Sequence, residues 1–420
     1  MTRALVLGGG GSRGAYEIGA WQALRELDVR FDGVYGTSIG ALNAALVAQG
    51  DFERAAALWE NVTVGQIVAV EDEEDFAIDH MIANKRDVLP FLVENARRLR
   101  MDIGPLEKLV REQVDEARVR AGGMRLGAMT FRVPQLQGVP VTLETMKEGA
   151  LGDWIIASAS CFPIFPARTI DGQRYIDGGF CDNLPIDLAL ADGADEVVAV
   201  ELHPYLTHPE YARMPWLTTV KPRHNLGGFL DFNPKLLRRS RLMGYYDAMK
   251  RYGKFDGWLY TFTQVNALKV AGAARRFARQ VTRFDLELVR RGVLYAGQPV
   301  NAPLMTVLEA ETDGQALTWK DLWLRGAELC AQAMGFRVDA IYDPQTLIGR
   351  TRGYCEGQLR QGGFDDASLQ RAAQQGSRAL LAHLYNNLRL EEAYPPEALR
   401  RLAETPAEAA AALFLACAAD

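Results

Sequence analysis

Apolar and polar positions at the start of the chain alternate in blocks of strand and helix length. Residues 3–7 (Arg-Ala-Leu-Val-Leu) form a short apolar run that reads as a buried strand. From Ala15 to Leu27, the residues Ile18, Trp21, Leu24 and Leu27 recur at helical spacing and define one packed face. Residues 31–35 form a second strand, and Ala41 to Ala48 an apolar helix that Gly50 can end. Strand, helix, strand, helix predicts an α/β fold with a parallel central sheet. From Asp51 to about Gly123 the pattern is mainly helical, interrupted by the acidic run Glu71–Asp75, which reads as a solvated loop. Strands return at 126–133, 139–143 and 196–200. Beyond about Phe262 the strand pattern fades, and spacings such as Leu381, Leu384 and Leu388 predict packed helices to the end.

Two junctions in this pattern carry chemistry. Between the first strand and helix lies Gly8-Gly9-Gly10-Gly11-Ser12-Arg13-Gly14. A glycine-rich turn into a helix presents backbone N–H groups and a positive helix end to an anion. Between the second strand and helix lies Gly36-Thr37-Ser38-Ile39-Gly40, the Gly-x-Ser-x-Gly pattern of a nucleophile elbow. Read alone, Ser38 could equally be a helix N-cap. A serine nucleophile needs a base, and Asp177, in Tyr175-Ile176-Asp177-Gly178-Gly179, offers a carboxylate where a strand enters a sharp turn. Asp-Gly-Gly by itself is most simply a plain turn.

Composition narrows the class. The chain has 420 residues, 48% hydrophobic and 24% charged, enough for one large domain with an extension or for two domains. A net charge of -6 gives no support to nucleic-acid binding. The five cysteines are scattered and never form Cys-x-x-Cys, which argues against a disulfide framework or structural zinc and fits a cytoplasmic protein. The start lacks the pattern of a signal peptide, and the apolar run 409–419 is too short to span a bilayer. Gly9, Gly11 and Gly14 also match Gly-x-Gly-x-x-Gly, with Asp32 placed as a ribose-binding acid, but the serine elbow and Asp-Gly-Gly have no place in a dinucleotide site.

In combination these residues resemble the patatin-like phospholipase family, of the bacterial type. The blocks that carry the resemblance are Gly9–Gly14, Gly36–Gly40, Ala157-Ser158-Ala159-Ser160-Cys161-Phe162-Pro163-Ile164-Phe165-Pro166 and Asp177–Gly179, followed by Asp182-Asn183-Leu184-Pro185. The resemblance covers about the first 260 residues. It implies a three-layer α/β fold with a mainly parallel central sheet over 1–262, with a helical insertion at about 51–123. A helical C-terminal extension of unknown role, 263–420, lies outside it. It also implies a catalytic Ser38–Asp177 dyad, an oxyanion hole at Gly9, Gly10 and Gly11, and supporting roles for Arg13, Gly36, Gly40, Gly178 and Gly179. No metal or organic cofactor is implied.

The expected activity is that of a serine lipid acyl hydrolase, of the phospholipase A or lysophospholipase type, acting through an acyl-enzyme. The alternative is a regulatory or interaction protein on the same scaffold, or an enzyme gated by its C-terminal helices. His203, downstream of the strand 196–200, is the rival base for Ser38. Phe162, Ile164 and Phe165 are candidates for an acyl channel. Lys235–Met243, with Tyr245 and Tyr246, mixes basic and apolar residues in a way that suits peripheral contact with an anionic membrane.

Overall fold

The structure is a computed structural model that describes residues 1–69, 101–292, 303–310, 312, 316–358, 366–388 and 396–418. The acidic run Glu71–Asp75 lies outside the described residues. The chain forms two compact units, Met1–Arg251 and Tyr252–Asp420. Phe262, at the boundary expected from the sequence, falls within the second.

In the first unit β1 (Arg3–Leu7) leads through a 3-10 turn at Gly11–Gly14 into α1 (Ala15–Glu26), then β2 (Gly33–Thr37) and α2 (Ile39–Ala48). Next come α3 (Phe52–Asn61), α4 (Gly104–Gln113), α5 (Glu116–Ala121), β3 (Arg125–Val133), β4 (Gln137–Thr142) and α6 (Leu151–Ser158). The unit closes with β5 (Arg168–Ile170), β6 (Gln173–Asp177), α7 (Ile186–Ala191), β7 (Glu196–Val200), β8 (Leu217–Val220) and α8 (Pro234–Arg251). The strands make one sheet in the order β5-β6-β3-β2-β1-β7-β8, with β4 paired to β3 off this path. The run β3-β2-β1-β7-β8 is parallel, while β4 and β6 lie antiparallel to β3 and β5 antiparallel to β6.

Alternate residues of the buried strands serve opposite faces. Ala4, Val6, Tyr35, Val197 and Ala199 pack with Leu184, Ile186, Leu188 and Ala189 around α7. Leu5, Leu7 and Val34 have the opposite parity and are equally buried, and α2 crosses β1, β2 and β3 on that side. These strands are therefore near-continuous apolar runs, as a sheet covered on both faces requires.

Helix α8 is the mixed basic and apolar segment singled out as a membrane candidate. It packs closely along α1: a Cβ on Gly19 would meet the Arg241 carbonyl at 1.8 Å, and one on Gly244 the Tyr16 carbonyl at 1.9 Å. Leu237 and Met243 are buried, and none of its large apolar side chains is among the exposed ones. Its apolar positions are thus spent on packing.

The second unit holds β9 (Thr261–Phe262), α9 (Ala267–Arg290), α10 (Pro303–Glu309), α11 (Trp319–Ala333), β10 (Ile341–Tyr342) and α12 (Pro344–Gly357). It continues with α13 (Asp366–Gln374), α14 (Ser377–Asn387), α15 (Pro396–Glu404) and α16 (Pro406–Cys417). β9 and β10 pair in parallel, a two-residue ladder too short to read from sequence. Phe414 meets Phe277 and Trp323 edge-on at 5.3 and 5.6 Å in the centre of its core. The buried Arg325 and Glu328 form an ion pair whose remaining bonding capacity is used. Glu328 Oε1 accepts from the N–H groups of Trp258, Leu259 and Tyr260, and Arg325 donates to the Val307 and Leu308 carbonyls. Such a pair is tolerated in a core only when its partners are complete. Among the described residues no helix is long and apolar enough to cross a membrane.

Candidate active site

The register of β3 decides what meets at the site. On one edge of β3, Thr37 of β2 stands beside Met129. The next residue of β3, Thr130, pairs with Asp177 of β6. β4 occupies the other edge across residues 127–132, so β2 and β6 share a single edge. One runs parallel to β3 and the other antiparallel, so their C-terminal ends point at each other. Ser38 follows the end of β2 and Asp177 is the end of β6. Two residues 139 positions apart are thereby brought together by one peptide step of a third strand.

Ser38 has φ 56° and ψ -125°, a conformation rarely adopted by a residue with a side chain. The flanking glycines hold it there by close approach. A Cβ on Gly36 would lie 2.2 Å from the Gly40 carbonyl oxygen, and one on Gly40 2.5 Å from the Leu7 carbonyl. The serine makes no side-chain cap to α2, which removes the N-cap reading. Its hydroxyl instead lies on the side of the Asp177 carboxylate, whose proton affinity it lowers. Burial pushes the Asp177 carboxyl up to about 6, against the opposing effect of the Ser38 hydroxyl and the Gly179 N–H. The Gly179 bond is 2.7 Å. A Cβ on Gly178 would strike the Met129 carbonyl at 2.2 Å, so this turn also depends on glycine.

Ser158 splices the junction. Its hydroxyl donates to the Met129 carbonyl at 2.7 Å and accepts from the Ser38 N–H at 2.9 Å, bridging the place where the β2–β3 ladder stops. Two residues on, the Ser160 carbonyl accepts from the Asp177 N–H at 2.9 Å. The Ala157–Ser160 block thus touches both halves of the pair. Ser158→Ala leaves a buried donor and a buried acceptor facing a methyl group. The expected cost is about 1–3 kcal/mol in urea unfolding, with kcat lowered more than KM is changed. Unchanged stability and kcat would remove the splice from this description.

The glycine loop lies over Ser38: a Cβ on Gly9 would come within 3.2 Å of the Ser38 Cβ. Asn183 latches it reciprocally. The Gly9 N–H donates to the Asn183 carbonyl at 3.0 Å, and Asn183 Nδ2 donates to the Gly9 carbonyl at 3.0 Å. The preceding residue joins in, since the Asp182 carbonyl accepts from Thr37 Oγ1 at 3.0 Å. Of the three amides expected to face an oxyanion, that of Gly9 is therefore engaged within the chain. No bond to another described residue takes those of Gly10 and Gly11. The far side of the loop rests on residues 227–229. Ser12 N–H donates to the Phe229 carbonyl at 2.8 Å, Ser12 Oγ to Gly228 at 2.7 Å, and Arg13 Nε to Gly227 at 2.9 Å.

His203 is drawn into the same support. Its Nδ1 lies 3.3 Å from the Arg13 guanidinium, and its ring stacks on Tyr205 with centroids 5.0 Å apart. The group that meets the Ser38 hydroxyl is the Asp177 carboxylate. Ile164 and Phe165, two of the acyl-channel candidates, are buried, and Phe162 is half-buried.

Beneath the elbow, Asn43 on α2 donates to Glu17 at 2.7 Å and to the Gly14 carbonyl at 3.1 Å, and accepts from Trp59 Nε1 at 2.9 Å. This ties the serine-bearing helix to the turn that carries the glycines. Burial raises the Glu17 carboxyl well above the usual range. Glu17, Asn43, Ser158 and Asn183 were not singled out from sequence. The only local signal for the last two was their place inside the matched blocks.

The model of the family described as patatin-like phospholipase matches residues 5–190, a span that contains the glycine loop, the elbow, Ser158, Asp177 and Asn183. Over residues 5–190 the chain thus resembles a patatin-like phospholipase domain. Relatives include patatin-like phospholipase domain-containing protein 6 of Mus musculus, 29% identical over 213 residues that make up 48% of this chain and 13% of that protein. The cUMP-AMP-activated phospholipase of Escherichia coli is 27% identical over 217 residues, 46% of this chain and 59% of its own. The chain therefore spans a small part of the first relative and under two thirds of the second. Among solved structures, VipD from Legionella pneumophila matches with a TM-score of 0.40 and 15% identity, over 98% of this chain and 91% of that one.

Proposed function

We propose that this chain is a serine lipid acyl hydrolase, cleaving fatty acyl esters through an acyl-enzyme on Ser38. The observation that carries the reading is the placement of Ser38 against a buried Asp177 carboxylate, across the abutting ends of β2 and β6. A carboxylate in water is a poor base towards an alcohol. Desolvation raises the proton affinity of Asp177, and the fixed contact with Ser38 spares the cost of bringing the two together.

In this reading Ser38 Oγ attacks the acyl carbonyl carbon while Asp177 takes its proton. The carbonyl oxygen becomes an oxyanion and is met by the N–H groups of Gly10 and Gly11, with Gly9 and Asn183 holding the loop in place. Each such donor is worth about 3 kcal/mol in the transition state. The C–O bond then breaks, protonated Asp177 returns its proton to the leaving alcohol, and the acyl group stays on Ser38. Water enters, gives a proton to Asp177 and attacks the acyl carbon, and collapse frees the fatty acid and restores the Ser38 hydroxyl. Arg13 acts on the loop through Gly227 rather than on the reacting atoms. The relatives named above as phospholipases favour lipid esters over other acyl compounds as substrates.

A fluorophosphonate probe tests the nucleophile. One label per chain is expected, on the peptide that contains Ser38, with slower labelling of Asp177→Asn and with His203→Ala still labelled on Ser38. A label on another residue, or none on the folded protein, would sink the assignment. Release of fatty acid from phospholipid vesicles, set against hydrolysis of a short aryl ester, then tests the substrate class.

A further inference from the structure

We infer that the outward face of α9 is a docking surface for an anionic lipid bilayer, an inference that rests on reading the chain as a lipid acyl hydrolase. α9 buries Val270, Ala274, Phe277, Val281, Phe284 and Leu288 at alternating spacings of four and three, which consumes one side of the helix. The other side carries a different pattern. At about 100° per residue, Leu268, Arg275, Arg279 and Leu286 fall within about 20° of one line along the helix, and Arg283 and Val289 within about 60° of it. Leu268 is 88% exposed, Leu286 50% and Val289 53%. The line from Leu268 to Leu286 is about 27 Å long, with bare leucines at its ends and arginines between. Trp319, itself exposed, lies 5.7 Å from the Arg275 guanidinium and widens the apolar area beside it.

The charge on this face runs against that of the whole chain. Residues 267–291 hold seven Lys and Arg and two acids, in a protein of net charge -6. Asp285 is buried and accepts from the Leu304 and Met305 N–H groups, while Glu287 bonds to Arg290 and Arg291. A recess of about 360 Å³ lies along the stripe, lined by Arg279, Thr282, Arg283, Leu286, Glu287 and Arg290.

Arginines flanked by exposed apolar side chains on one face match a helix lying in the plane of a bilayer surface, its guanidinium groups among lipid phosphates and its leucines dipping below them. A nucleic-acid surface would give the leucines no role.

The test uses full-length Ser38→Ala protein, so that binding is read without hydrolysis, floated with phosphatidylcholine vesicles with or without phosphatidylserine. Binding only to the serine-lipid vesicles is expected, weakening as salt rises. Arg279→Glu with Arg283→Glu should lower it about tenfold or more, and Leu286→Gln should lower what persists at high salt. With Ser38 restored, the charge-reversed chain should still cleave a soluble aryl ester at the native rate while losing hydrolysis of vesicle lipid. Failure of the Ser38→Ala protein to float, equal flotation of the variants, or tighter retention on duplex RNA than on vesicles would each overturn the surface. Absence of aryl-ester hydrolysis with flotation intact would instead overturn the hydrolase reading and leave the surface standing.

Discussion

Ser38→Gly is expected to lose at least about 10⁴-fold in kcat/KM, the scale on which an enzyme loses its nucleophile, and yet to melt above Ser38→Ala. Glycine in place of alanine usually destabilises by about 0.5–1 kcal/mol, because the unfolded chain gains freedom. At φ 56° and ψ -125° the balance reverses. Holding a side chain in so sparsely populated a region costs about 1–3 kcal/mol, which outweighs the entropic term. Both variants lack the hydroxyl, so the difference between them isolates backbone strain. Thermal denaturation of the pair measures it. A Ser38→Ala protein that melts at or above Ser38→Gly would show that the elbow stores no strain.

Asp177→Asn is expected to lower kcat/KM by about 10²–10⁴, the contribution of a positioned general base, while stabilising the fold near neutral pH. The sign follows from burial. The folded carboxyl is raised from 3.8 to about 6, so the folded state prefers the protonated form. Its stabilising contribution is complete below the unfolded value and is lost as pH rises through about 6. Above that pH the native protein carries a buried charge that asparagine removes, a difference of at most roughly 3 kcal/mol. Urea unfolding of both proteins near pH 4 and near pH 8 should show the variant gaining on the native chain at the higher pH. Activity runs the opposite way, because the base must be ionised: kcat/KM of the native enzyme should climb through about pH 6 and level off. A profile that is flat across that range, or a variant no more stable at high pH than at low, would remove Asp177 as the titrating base.

The sequence carried the local half of this site. Gly36, Ser38 and Gly40 sit on the strand-to-helix turn that their pattern predicts, because close backbone approach admits only glycine on either side. β1, α1 and β7 lie where their apolar periodicity places them. The meeting of Ser38 with Asp177 was legible only through family resemblance, since it depends on the register of β3 against two other strands. No spacing along the chain encodes that register. For the same reason Ser158 and Asn183 gave no signal of their own: a serine at the end of a helix and an asparagine in a turn look ordinary until their partners are known. β5 and β8, of three and four residues, are too short to carry a periodicity. The glycine loop was legible as a run of glycines, whereas the commitment of the Gly9 N–H to Asn183 was not. The mixed helix at 235–246 misled because composition cannot tell which residues a neighbour will cover. In α8 none of the large apolar side chains is exposed, while in α9 several stay outside.

The abutment of β2 and β6 on one edge of β3 has a consequence for how such a site can change over time. The β3 register sets Thr37 and Asp177 one strand repeat of about 3.3 Å apart, so the spacing of the two turns that carry Ser38 and Asp177 comes in discrete steps. Substitutions around the pair can shift proton affinity or shape the pocket without altering that step. An insertion or deletion of one residue within β3 would advance the spacing by a full repeat and turn the next side chain to the opposite face of the sheet. Descendants of this architecture should therefore keep Ser38 and Asp177 apposed or lose the apposition outright, with few intermediate geometries between the two.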